Sequence, residues 1–364
     1  MFRLNPNRMK TILKLITAPW AAPRWPRGKF SLTHIQIFLN CLLLLSFSLL
    51  GCSKPKRTPN GHSLHEAKFV TVNGVRLQYL DWGGRGDGLV FLHGLGDSPH
   101  AYDDLAPSFS DRFRVIAYAR RGHGRSEAKG PYDNGTLVED LRQLLDHLGI
   151  QRAVLAGYSL GGNEITAFAV RFPERVTNLI YLDCFDMSTP VFARHLQRLP
   201  LDTLPSAAHL ASLEAFRAWF KQTWWRDTAW TPAMEAWVDD LVERRPDGSV
   251  RPVTDDRIEA DLFKGGMAYS PPFAQVRAPM LAFVAHWYRD AYISPDAPEA
   301  LRVKVENWLR DDVAPLLAER LALFKTASAR VVEFDRTSHG ALLFQRHDRI
   351  LAEINSFLRK GHSE

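Results

Sequence analysis

VLAGYSLGGNE, Val154 to Glu164, sets a serine between glycines, after an apolar run and ahead of a helix-like one. Two readings compete. Ser159 is either a turn residue in a tight bend or a nucleophile lifted off the end of a strand. Gly157-Tyr158-Ser159-Leu160-Gly161 has the form G-x-S-x-G, in which the glycines leave room where side chains would clash. The helix that follows would aim its backbone N–H groups at the place where negative charge develops. Such a pentapeptide also occurs by chance, so its surroundings decide.

Those surroundings alternate. KFVTV, then Asn73-Gly74, then VRLQYLDW predicts a hairpin. GLVFLHG, RVIAYA, AVLAGYS and NLIYLD are short apolar strands, separated by segments that read as helices: AYDDLAPSF, TLVEDLRQLLDHLG and GGNEITAFAVRF. The second of these carries Leu137, Leu141, Leu144, Leu145 and Leu148 at helical spacing, with Thr136 as N-cap and Gly149 at its end. This order predicts an α/β fold with a mostly parallel central sheet and helices on both faces. At residue 187 the alternation stops. Residues 187–278 are rich in Trp, Pro and charge, with helical spacing in FRAWFKQTWW, and read as a helical insertion. PMLAFVA resumes the sheet after Pro279, a long helix is expected over about 297–326, RVVEF is the last strand and RILAEINSFLRK the last helix. The core is thus expected in two parts, 66–186 and 279–364.

Other parts of a site stand where a nucleophile at Ser159 would need them. His93-Gly94-Leu95-Gly96 ends an earlier strand, where a loop must bring a backbone N–H over the serine. The N–H groups of Leu95 and Leu160 would then form an oxyanion hole. His339, in DRTSHGALLF, falls between the last strand and the last helix, the place for a base returning over the serine.

From about Lys68 to Lys360 the chain resembles the α/β-hydrolases, with HGLG, YARRGHGRS, GYSLGG and SHG in that family's order. The resemblance implies a Ser–acid–His triad and places the helical insertion as a cap over the pocket. Ala119 and Arg120 depart from it, standing where members often have an acidic and an apolar residue, and His123 reads as a structural loop histidine. The acid has several candidates. The common position lies beyond the strand starting at Pro279, where AHWYRD offers Asp290 about two residues late and without the usual glycine. The other position is the end of the preceding strand, where LIYLD offers Asp183; Asp186 is a third option. Asp183 is preferred because the Asp290 loop fits its pattern poorly. No cofactor or metal is implied, since the histidines are scattered and neither HExxH nor a phosphate-binding glycine fingerprint is present.

Composition bounds the rest. The 364 residues carry a formal charge of +6, but residues 1–65 hold ten Lys/Arg and no Asp or Glu. Without them 36 basic face 40 acidic residues, which leaves no electrostatic case for nucleic acid. IQIFLNCLLLLSFSLLG, residues 35–51, follows a basic stretch and is shorter than the roughly 20 residues of a spanning helix. Leu49-Leu50-Gly51-Cys52 resembles a bacterial lipoprotein box, in which the cysteine is lipidated. Residues 1–51 are then a leader, Cys52 the anchor and 52–65 a polar linker. Ser53 resembles lipoproteins sorted to the outer membrane, so the expected location is the cell envelope, facing the periplasm; an uncleaved signal anchor is the alternative.

The expected partner is a small-molecule substrate. The leading reading is hydrolysis of a small to medium apolar carboxylic ester. A proline iminopeptidase-like aminopeptidase is the alternative and needs a cap carboxylate for the substrate amine, for which Glu214, Glu235 and Glu243 are available. A ligand-binding relative with little turnover is the third reading, and its signature would be a broken triad.

Overall fold

The computed structural model describes residues 65–201, 204–226 and 228–360. The leader, Cys52 and almost all of the linker lie outside them. Among the described residues no helix is long and apolar enough to cross a membrane.

The Asn73-Gly74 pair makes the expected turn. Both residues have positive φ (47° and 70°), the backbone twist that joins antiparallel strands tightly, and the turn links β1 (Glu66–Val72) to β2 (Val75–Gly83). β3 (Gly88–Leu92), β4 (Arg114–Tyr118), β5 (Ala153–Tyr158), β6 (Val176–Leu182), β9 (Met280–Ala285) and β10 (Arg330–Phe334) complete an eight-stranded sheet of order β1-β2-β4-β3-β5-β6-β9-β10. All pairs from β4 to β10 are parallel. Side chains alternate between two cores, one on each face. On β3, Leu89 and Phe91 join one cluster while Val90 and Leu92 join the other. α1 (Asn134–His147) and α2 (Gly161–Arg171) both cover the face of Val90 and Leu92, and the last helix, His347–Lys360, covers the other through Ile350, Ile354 and Leu358. The chain order reverses between β3 and β5, so the loops at the carboxyl ends of those strands open a crevice where an α/β sheet takes its ligands.

Between β6 and β9 the chain forms α3 (Pro190–Gln197), α4 (Leu213–Trp224), α5 (Pro232–Asp240) and α6 (Asp256–Met267). It also forms an unexpected hairpin, β7 (Val242–Arg244) with β8 (Val250–Pro252). The signal for it is Pro246-Asp247-Gly248, where Gly248 takes φ +86° and Arg245 N–H donates to Ser249 O. AYDDLAPSF is not a helix either. It holds two short 3-10 turns, Pro99–Tyr102 and Ala106–Phe109. Pro107 has no N–H to give to the carbonyl four residues back and its ring clashes there, so an α-helix cannot run through. The long helix after β9 is α7 (Glu299–Trp308) and α8 (Ala314–Thr326), joined by one wide π turn over Leu309–Val313 just before Pro315.

Candidate active site

The bend after β5 is built by close approach. A Cβ on Gly157 would lie 2.5 Å from the backbone of Gly161, and one on Gly161 would lie 2.5 Å from Leu92 O. Only glycine permits strand, turn and helix to meet this closely. The turn forces Ser159 to φ +53°, a left-handed conformation that a side-chain-bearing residue rarely holds. Ser159 is 5% exposed, under the loop after β3: a Cβ on Gly94 would stand 3.3 Å from Ser159 Cβ. The Leu95 and Leu160 side chains share one buried cluster, which places the two backbone segments beside each other at the serine.

The imidazole of His339 stacks on Tyr158, the residue before Ser159, with ring centroids 4.9 Å apart. Tyr158 Oη donates to His339 O at 2.6 Å and fixes the loop that carries it. His339 Nδ1–H donates to Asp183 Oδ2 at 2.6 Å. Phe185 and Trp287 close on the same imidazole. The structure therefore joins His339, from beyond β10, to Asp183, from the end of β6, and stacks the imidazole on the residue that precedes Ser159.

Asp290 does not join them. It lies in a 3-10 turn, partly exposed, paired with Arg289 at 2.9 Å and Arg336 at 3.4 Å. Asp186 accepts from the N–H and hydroxyl of Ser188. The loop that carries Asp290 contributes Trp287 instead, whose Nε1–H donates to Asp183 Oδ2 at 3.2 Å.

Asp183 is fully buried and fully used. Its Oδ1 accepts Ala285 N–H at 2.8 Å and lies 3.0 Å from Arg320. Burial alone would push its carboxyl pKa up, but Arg320, His339 and the Ala285 N–H outweigh that and hold it below the ordinary carboxylate value. Asp183 is thus kept as an anion facing the histidine. Arg320, from α8, is itself buried and lies over the Phe185 ring at 4.8 Å.

A second buried cation shapes the loop over the serine. Arg120 Nε–H donates to Glu164 Oε1 at 2.6 Å, and its two terminal nitrogens donate to Gly94 O and His93 O. Its backbone N–H donates to His93 Nε2. The loop after β3 is in this way stapled to the first turn of α2. His123 holds the same loop by accepting Gly96 N–H through Nε2 at 3.1 Å, and burial drives its pKa down to about 3. It is neutral and structural, as its place in YARRGHGRS suggests. Sequence reasoning noted Arg120 as a departure and missed Arg320 altogether.

A family model described as the alpha/beta hydrolase fold matches residues 88–313. The chain belongs to the α/β-hydrolase family. It is 35% identical over 154 residues to a non-heme chloroperoxidase of Streptomyces lividans, covering 41% of this chain and 52% of that one. It is 37% identical over 108 residues to a bifunctional esterase/perhydrolase of Acinetobacter calcoaceticus, covering 29% and 39%. The chain thus matches about half or less of the length of these relatives. The structure of E-2-(acetamidomethylene)succinate hydrolase superposes with a TM-score of 0.64 at 19% identity, covering 81% of this chain and 99% of that one, which is a likeness of fold.

Proposed function

We propose that this hydrolase cleaves a small to medium apolar carboxylic ester through an acyl-enzyme on Ser159. The observation that carries the reading is a serine held at φ +53° on a strand–turn–helix bend, next in sequence to the tyrosine on which His339 stacks, with the Nδ1–H of that imidazole taken by a buried carboxylate. In the proposed reaction His339 Nε2 takes the Ser159 proton as Oγ attacks the ester carbonyl. Asp183 holds the imidazole in the required tautomer and stabilises the imidazolium. The N–H groups of Leu95 and Leu160 receive the oxyanion, each donor lowering the barrier by about 2.7–4 kcal/mol in measured holes of this type. His339 returns the proton to the leaving alcohol, and water, activated by the same imidazole, frees the acid.

Tyr158, Phe220, Trp224, Trp225, Trp237 and Gly340 line a cavity of about 10 Å³, space for about one water, so an acyl group would enter only as these aromatic side chains shift. Tyr158 precedes the serine and Gly340 follows the histidine, and the aromatic character of this lining is what supports an apolar substrate. The aminopeptidase reading has less support. Glu214, Glu235 and Glu243 are all solvent-exposed while Ser159 is buried, and Glu243 is paired with Arg251. The intact His339–Asp183 contact weighs against a non-catalytic binding relative.

A fluorophosphonate probe tests the reading. Rapid labelling of the parent is expected, with labelling lost in Ser159→Ala and His339→Ala. A folded parent that takes no label overturns it. We also propose that Cys52 is lipidated and tethers the domain in the cell envelope. Metabolic labelling with palmitate should mark the parent and not Cys52→Ser, which should leave the membrane fraction. Equal label in both would refute the anchor.

A further inference from the structure

Outside the Ser159 cluster, three side chains of metal-ligand type converge where the chain enters the sheet. His65 immediately precedes β1, while His100 and Asp103 sit on and just after the turn Pro99–Tyr102. One ligand atom from each lies within 4.8 Å of the others. His100 Nδ1 is 2.8 Å from Asp103 Oδ2, His65 Nε2 is 3.5 Å from Asp103 Oδ1, and the two imidazoles stand 5.1 Å apart. Ligand atoms bound at 2.0–2.2 Å to a tetrahedral zinc stand about 3.3–3.5 Å apart, so ligand atoms that all lie within 4.8 Å of one another need approach only by about an ångström to share one ion.

Two further observations favour a ligand. Asp103 Oδ1 is shielded from solvent yet accepts no hydrogen bond, the His65 approach being too long for one. The histidines are also already positioned. Trp82 meets the His65 ring edge-on at 5.2 Å, and Ser98 Oγ accepts the backbone N–H of His100. Two imidazoles with one carboxylate suit a borderline first-row divalent ion, whereas calcium and magnesium take oxygen donors.

We propose that His65, His100 and Asp103 bind one Zn²⁺, with water as the fourth ligand, clasping the start of β1 to the loop beyond β3. On binding, the proton that His100 Nδ1 gives to Asp103 moves to Nε2, leaving the Nδ1 lone pair for the metal. None of the three ligands is among the residues assigned to the proposed ester chemistry.

The untagged full-length chain in detergent, stripped with EDTA and titrated with Zn²⁺ by calorimetry, tests this. One equivalent is expected to bind at micromolar Kd or tighter and to raise Tm. His65→Gln and His100→Gln should each weaken binding by roughly 10-fold or more. Both variants should retain the parent's far-UV circular dichroism and fluorophosphonate labelling, which reports folding apart from metal. Co²⁺ in place of Zn²⁺ should give the intense visible absorption of a four-coordinate ion in the parent and not in the variants. A parent with no saturable Zn²⁺ uptake, or uptake unchanged in both variants, overturns the proposal.

Discussion

Asp183→Asn is expected to lower kcat for ester hydrolysis by about 10⁴-fold, the loss seen when a triad carboxylate becomes an amide in a serine protease. Asp290→Asn should leave kcat near the parent value. The contrast follows from the contacts. Asp183 Oδ2 takes the Nδ1–H of His339 at 2.6 Å, whereas Asp290 pairs with two surface arginines. An asparagine at 183 either turns its NH₂ toward the imidazole, forcing the proton to Nε2 where it cannot accept from Ser159, or offers a neutral oxygen that stabilises the imidazolium far less. Arg320 would lose its counter-charge in this variant, so thermal unfolding must accompany the kinetics and kcat be referred to folded protein. Steady-state hydrolysis of p-nitrophenyl esters reads the effect. Equal activity in Asp183→Asn and the parent would remove Asp183 from the reaction.

Arg320→Met should cost about 3–5 kcal/mol of stability, the range for breaking a buried ion pair from one side. Methionine fills much of the volume but leaves the Asp183 carboxylate, with no exposure to water, on its Ala285, Trp287 and His339 partners alone. The pH dependence has a definite sign. A carboxylate held below its ordinary pKa adds stability that is fully present above the unfolded value and is lost as pH falls through the folded one. Asp183 is such a group, and Arg320 is the foremost of the forces holding it down against burial. Without the guanidinium the folded value rises, so acid unfolding should begin at a higher pH than in the parent. Urea titrations at several pH values measure both effects. A variant with unchanged midpoint and unchanged acid limb would show that the ion pair contributes nothing.

The parts of the site visible in the sequence are those marked by local chain geometry. G-x-S-x-G at 157–161 declares itself because its glycines are demanded by atoms four residues away or on the neighbouring strand. His339 is legible from its place between the last strand and the last helix. Asp183 was reachable because it ends an apolar strand, though its rival could be set aside only by seeing which carboxylate the imidazole meets. Arg320 left no trace, since its partner lies 137 positions earlier and an arginine inside a helix usually reads as a solvated face. Arg120 was visible only as an oddity, because its task is to bind Gly94 O, His93 O and Glu164, none of them a sequence neighbour. Among the secondary elements, the failures fell at prolines. Pro107 broke a helix that an apolar pattern suggested, and Pro246 opened a hairpin within a segment read as helical throughout.

Ser159 and Asp183 end adjacent strands, and both hold left-handed backbones, at φ +53° and +50°. Residues with a side chain occupy that region at a cost of about 1–3 kcal/mol each. The fold is therefore working against itself where it holds Ser159 and Asp183, and the surrounding core must exceed that opposition. Selection for heat resistance and selection for turnover would pull on these two positions in opposite directions. A thermostable descendant of this chain should have gained its stability in the sheet and helices around the pair, with both residues still twisted as they are here.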